Sequence, residues 1–362
     1  MGWPHATPPA RRAWGEIRPP ATLVEITFHA VADAGSIPAV STRVVWPMSR
    51  QTEIQPCEHE TRDRIVTGFV VGLPFVLAIV FGIRAWGESL NWLNLVLFIV
   101  GYVLTCLGIT MGFHRLFTHR SFKCGRTLKI TLAILGSMAV EGPLISWVSD
   151  HRRHHAHSDQ PGDPHSPHVD HGEGFVGSIK GLWHAHMGWL FMHDQRGAHE
   201  RYAPDLLADP DLVFISRTFL LWAVLGLLIP FGIGFAVGGT VGAALSCLLW
   251  AGVVRVGALN QSTFAVNSLG HTFGRQSYNT RDHSTNFLPV ALLALGEGWH
   301  NNHHAFPTSA RHGLDRGQVD VTATVISACA RLGIVWDVVT ISEERKATKR
   351  LPAGDVAERQ PA

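Results

Sequence analysis

Charge is in short supply. Only 16% of the 362 residues are Asp, Glu, Lys or Arg, and the balance of +2 is too small and too evenly spread to draw nucleic acid. Cysteine is sparse as well. Cys57, Cys106, Cys124, Cys247 and Cys329 form no CxxC pair and no ladder, which argues against an iron–sulfur cluster and a disulfide framework and leaves small buried hydrophobes. No GxGxxG follows a strand and no haem or ferredoxin signature is present, so any electrons the chain uses are expected from a separate protein.

What is abundant is apolar sequence, gathered in blocks, and histidine, of which there are 22. Four blocks are long enough to span a hydrocarbon core of about 30 Å: residues 65–83, 92–112, 212–235 and 240–259. They pair as two hairpins, which puts the N-terminus, the segment between the hairpins and the C-terminus on one side. That central segment carries Arg115, Arg120, Lys123, Arg126, Lys129, Arg152, Arg153, Lys180, Arg196 and Arg201, whereas the second hairpin's connection has no Lys or Arg. By the positive-inside rule the central segment is cytoplasmic. A fifth apolar run, residues 130–148, is interrupted by Glu141, Gly142 and Pro143 and reads as interfacial or packed under the hairpins. The expected fold is an all-α integral membrane protein with a cytoplasmic helical cap. Residues 1–47, rich in Pro, Ala and Arg without periodicity, read as a misassigned start or a disordered extension. The membrane domain is expected over residues 48–342, and the polar tail 343–362 is expected to be disordered.

The histidines fall in four clusters on the side set by topology alone. "HRLFTH" holds His114 and His119, "HRRHH" holds His151, His154 and His155, "NSLGH" holds Asn267 and His271 just after the fourth block, and "HNNHH" holds His300, His303 and His304. Residues at i, i+3 and i+4 share a helix face, so each HxxHH element aims three imidazoles at one point. His114 and His119, at i and i+5, stand about 140° apart on a regular helix, which puts them at a fraying end or makes them serve from different directions. Nine imidazoles exceed the needs of one ion and match two metals. In "HAHSDQPGDPHSPHVDH", His157, His165, His168 and His171 read as loop or supporting residues, and Asp163 is expected to orient a ligand imidazole. His184, His186, His193 and His312 read as hydrogen-bonded core residues.

These motifs, with "GDPH", "HMGWL" and "GEGWHNNHHAFP", resemble the membrane fatty acyl desaturases, especially bacterial relatives of stearoyl-CoA desaturase, over residues 65–338. The resemblance implies a non-haem diiron enzyme in the bacterial cytoplasmic membrane. Such an enzyme inserts a cis double bond, commonly at Δ9, into the acyl chain of an acyl-CoA or a lipid. It would use O2 and two electrons from a ferredoxin-like, cytochrome b-type or flavin-dependent donor. It makes the nine histidines iron ligands, with Asn267 acting through a water. Where relatives often carry Trp this sequence has Phe264, three residues before that Asn.

The chemistry agrees, because no side-chain acid or base breaks an unactivated methylene C–H bond, and iron is the usual metal at His-rich oxygen-activating sites. Tyr102, Cys106, Trp147 and Phe264 are expected along the acyl channel. Tyr102 stands twelve residues before His114, and so returns nearly to its face at 100° per residue. Lys123, Arg126 and Lys129 are expected at the head group. Two other readings use the same residues. A diiron hydroxylase would differ only in how the substrate radical is resolved. A metal transporter would need ionisable residues along several spans, where only Arg217 and Arg255 approach membrane depth.

Overall fold

The computed structural model describes residues 53–84, 90–352 and 358–359, so the expected extension at 1–47 lies outside the described residues. Among the described residues, four helices are long and apolar enough to cross a bilayer: Glu60–Val80, Trp92–Thr118, Phe219–Gly238 and Val241–His271. Local sequence sets their ends. Asn91 caps the second span by accepting from Asn94 N. Gly239, at φ 66°, closes the third in the left-handed region, and Thr240 starts the fourth by accepting from Ala243 N.

The first helix starts at Glu60, ahead of the expected 65, and the second runs to Thr118, past the expected 112; two further boundaries differ for a polar reason. The third span begins at Phe219 and not near residue 212, because Pro210–Arg217 is a separate helix capped by Asp209. That helix is tied by Asp209 to Lys129 and by Asp211 to Arg126, and Arg217 stays exposed outside the span. The fourth helix runs twelve residues past the expected end, so Asn267 and His271 ride on it and do not follow it. Its polar stretch Asn260, Gln261, Ser262 and Thr263 stops an apolarity count. In the fold, however, Ser262 Oγ donates to Ala258 O, Thr263 Oγ1 to Glu141 Oε1, and Gln261 Oε1 meets His186 Nε2 at 2.8 Å.

The run at 130–148 does not span. It forms the helices Arg126–Ser137 and Leu144–His157, separated by a turn in which Val140 (φ 65°) and Gly142 (φ 108°) are left-handed. The first of these presses on the second span so closely that a Cβ at Gly108 would lie 2.2 Å from Gly136 N. Around that contact Cys106, Phe113, Phe117, Leu144 and Val148 form the largest core cluster. Arg255, midway along the fourth span, is buried and bonds only neutral oxygens. Its Nη1 donates to Met138 O at 2.9 Å and Thr105 Oγ1 at 3.3 Å, its Nη2 to Gly226 O at 3.3 Å, and its Nε to Ala251 O at 3.3 Å.

The polar tail is ordered to residue 352, against expectation. Ser342 caps the helix Glu343–Ala347, Lys346 Nζ donates to Leu314 O, Lys349 Nζ donates to Ala305 O at 2.7 Å, and Arg350 pairs with Asp315 at 2.6 Å. Polar contacts hold this segment, and an apolar pattern cannot reveal them.

Candidate metal centre

The nine histidines converge into two groups. His114, His119, His151, His155 and His303 form one, and His154, His271, His300 and His304 the other, with ligand-capable atoms within 4.8 Å of one another in each. The second span brings the first pair by changing its winding. From Gly108 to Thr118 it is π-helical, with His119 N donating to His114 O, so residues five apart come over one another. The rings of His114 and His119 lie 4.8 Å apart, where a regular helix would have splayed them. In Leu144–His157 the three imidazoles share a face and the arginines leave it. Arg152 pairs with Asp205 at 2.6 Å and donates to Phe117 O and Tyr202 O, while Arg153 donates to Gln195 O.

Inside the groups Nε2 faces Nε2. His303 Nε2 lies 3.1 Å from that of His114 and 3.0 Å from that of His155. His155 and His151 meet at 3.1 Å, and His300 and His271 at 3.0 Å. One N–H cannot serve two such contacts at once, and His119 Nε2 is buried without a partner. Burial, then the neighbouring imidazoles, hold His119, His151, His155, His300 and His303 well below the usual histidine range, so these rings are neutral. A neutral, buried, mutually facing set of lone pairs fits cations.

Carboxylates orient the rings from behind. Glu297 Oε2 is 2.5 Å from His114 Nδ1, Asp163 meets His154 Nδ1 at 3.0 Å, Asp159 meets His271 Nδ1 at 2.8 Å, and Asp282 meets His304 Nδ1 at 2.7 Å. Burial works to raise the pKa of Asp159, Asp163, Asp282 and Glu297, but the facing histidines and hydrogen bonds outweigh it and hold all four below the carboxylate norm. Glu297, Asp159 and Asp282 were not singled out by sequence, although Glu297 sits in the quoted "GEGWH" and Asp159 beside the HRRHH helix. His165 is more than a loop residue: it is buried, its ring 4.2 Å from that of His154 and 5.0 Å from that of Trp189. His168 Nε2 donates to His271 O. Unlike His184, His186 and His193, His312 is packed against the first group, with its ring 4.4 Å from that of His303.

A cavity opens beside the groups, lined by Ile109, Trp147, Leu190, Phe264, Asn267 and His300, among others. Glu141 forms part of its wall, accepting from Trp147 Nε1 at 3.1 Å and Thr263 Oγ1 at 2.8 Å, and burial pushes its pKa up to about 7. Trp147 and Phe264 line the cavity. Tyr102 and Cys106 do not: Tyr102 OH donates to Ser262 Oγ and Leu293 O, and Cys106 is sealed in the core. The face argument assumed 100° per residue through a stretch that is π-helical. The three cations expected at a head group are each paired with a carboxylate, Lys123 with Asp337, Arg126 with Asp211 and Lys129 with Asp209. At the cavity itself the cation is Arg196, paired with Asp150 at 2.7 Å and lying over Trp189.

Residues 90–332 match the sequence profile of the fatty acid desaturase family. The chain is 42% identical over 267 residues to the hex-5-enoyl-[acyl-carrier protein] acetylenase of Moorena producens, covering 74% of this chain and 83% of that protein. It is 40% identical over 234 residues to the sn-1 stearoyl-lipid 9-desaturase of Anabaena variabilis, covering 64% and 78%. To the icosanoyl-CoA 5-desaturase of Limnanthes douglasii it is 36% identical over 261 residues, covering 70% and 67%. With four membrane spans, two imidazole groups and a cavity beside them, the chain belongs to the fatty acid desaturase family, whose members are oxygen-dependent oxidoreductases of acyl chains.

Proposed function

We propose that this protein inserts a cis double bond at Δ9 of a saturated acyl chain, carried on CoA or a membrane lipid, at two ferrous ions. The observation that carries the reading is the division of nine convergent imidazoles into groups of five and four beside a cavity walled by Ile109, Trp147 and Phe264. When bound, the iron pair supplies the oxygen activation that an unactivated methylene demands. His114, His119, His151, His155 and His303 would hold one ion and His154, His271, His300 and His304 the other, with Asn267, on the cavity wall, acting through a water.

The chain's own residues do the rest. Glu297, Asp159, Asp163 and Asp282 keep the Nδ1 proton on the rings they face, so that Nε2 stays free as a donor atom. Trp147, its indole 5.1 Å from the His151 ring, and Phe264 exclude water and hold the chain against the groups. Two electrons come from a separate ferredoxin-like, cytochrome b-type or flavin-dependent protein. The Lys and Arg bias of the central segment supports a site on the cytoplasmic face.

Expression in a host without endogenous desaturation, followed by gas chromatography–mass spectrometry of the fatty acids, tests this. Δ9 monounsaturated chains are expected, and they should vanish in His154→Ala and His303→Ala while the protein stays in the membrane. Hydroxylated chains, or an unchanged profile with iron loaded and a donor present, would overturn the reading.

A further inference from the structure

His312 has no role in the account so far, yet its surroundings are unusual. It is 1% exposed, and neither ring nitrogen meets a partner in hydrogen-bond geometry. A buried imidazole left unpaired is costly, so a fold that keeps one invites an explanation. Its backbone is fixed from both sides: His312 N donates to Asp320 Oδ2 at 2.7 Å, and its carbonyl accepts from Asn302 Nδ2, within the HNNHH box, at 2.8 Å. The ring is thereby aimed at the five-imidazole group, 4.4 Å from the His303 ring and 5.3 Å from the His114 ring.

The atom it faces is the carboxylate of Glu297. Oε1 already accepts from Arg115 Nη2 at 3.1 Å, and Oε2 from His114 Nδ1 at 2.5 Å. His312 Nδ1 lies 3.2 Å from that same Oε2, close enough to donate after a small turn of the ring. Two donors fix a carboxylate in its plane only loosely, and a third on the oxygen that faces His114 would stop it swinging away. We infer that His312 is a positioning residue that holds Glu297 onto His114, and so fixes the ring orientation of one ligand of the five-imidazole site. The inference rests on the proposed reading of that group as an iron site. It concerns only that group, since the four-imidazole group has its own carboxylates.

The test is iron binding and 57Fe Mössbauer spectroscopy on purified, donor-free protein, for wild type, His312→Ala, His312→Asn, Glu297→Gln and the Glu297→Gln/His312→Ala double variant. Wild type should bind two irons. His312→Ala should weaken one site about 10- to 100-fold while the other keeps its doublet. His312→Asn, whose amide can still donate, should recover most of the loss, and His312→Ala should add little on the Glu297→Gln background. Unchanged binding in His312→Ala would overturn the inference. So would an Asn variant as defective as Ala, which marks a direct ligand, or full additivity in the double variant. Should His312→Ala fail to fold, the Asn variant and the Glu297→Gln pair still decide it. Wild type that binds no iron would sink the diiron reading itself and not this assignment.

Discussion

Glu297 Oε2 sits 2.5 Å from His114 Nδ1, and the other oxygen of the same carboxylate accepts from Arg115, the next residue along the second span. One acidic side chain thus grips two consecutive residues of a π-helical turn. Glu297→Gln removes the charge but keeps the shape. Iron affinity at the five-imidazole site should fall about 10- to 100-fold, with desaturation falling alongside, as read by iron titration and product analysis.

The two groups should release metal in a fixed order. Three carboxylates stand behind the four-imidazole group, Asp163, Asp159 and Asp282, against Glu297 alone behind the five. Added negative charge makes the ligand nitrogens better donors. Under a chelator, sampled over time by Mössbauer spectroscopy, the site sensitive to Glu297→Gln should empty first. Asp282→Asn should narrow the gap between the two rates. Simultaneous loss from both sites would show that the carboxylates do not set retention.

Chain length should answer to Ile109 and not to Tyr102. Ile109 lines the cavity, while the Tyr102 hydroxyl is committed to Ser262 and Leu293. Ile109→Phe should move the product profile toward shorter chains and Ile109→Ala toward longer ones, since overpacking costs about 1–3 kcal/mol and a freed methylene is worth about 0.8. Tyr102→Phe should leave the profile in place. Gas chromatography of products from a mixed-length substrate pool reads all three.

Asp205 should govern part of the acid stability. Burial acts to raise its pKa, but the hydrogen bond and charge of Arg152, then of Arg120, outweigh this and hold it below the usual carboxylate range. A folded pKa below the unfolded one means stabilisation that is complete above about pH 3.9 and is lost as pH falls through the folded value. With the pair partly exposed, Asp205→Asn should cost about 1–2 kcal/mol at pH 7. The thermal midpoints of variant and wild type, measured metal-free in detergent, should converge as the pH falls through the folded carboxyl's pKa, below the usual carboxylate range.

The four spans and the four histidine clusters were legible because apolar length and i, i+3, i+4 spacing are properties of the chain itself. What escaped was set by partners remote in sequence. Thr263 reads as the end of a span until Glu141 is beside it, and Lys349 reads as a loose tail until Ala305 O accepts from it. The π-helical turn at Gly108–Thr118 was hidden for another reason: an apolar run looks the same for either winding, and the close packing at Gly136 exists only in the fold. Tyr102 was misplaced by that same turn.

Arg255 bears on how the membrane domain is assembled. Of its four oxygen partners only Ala251 O belongs to its own helix. Gly226 lies on the third span, Thr105 on the second, and Met138 at the C-terminal end of the Arg126–Ser137 helix. A guanidinium at mid-helix disfavours entry into lipid on its own, by about 2.5–3.5 kcal/mol on insertion scales. The fourth span is therefore a poor independent insertion signal, and it gains its place by docking on segments made before it. Chain order and bonding order agree, and synthesis from the N-terminus delivers each acceptor ahead of the cation that needs it.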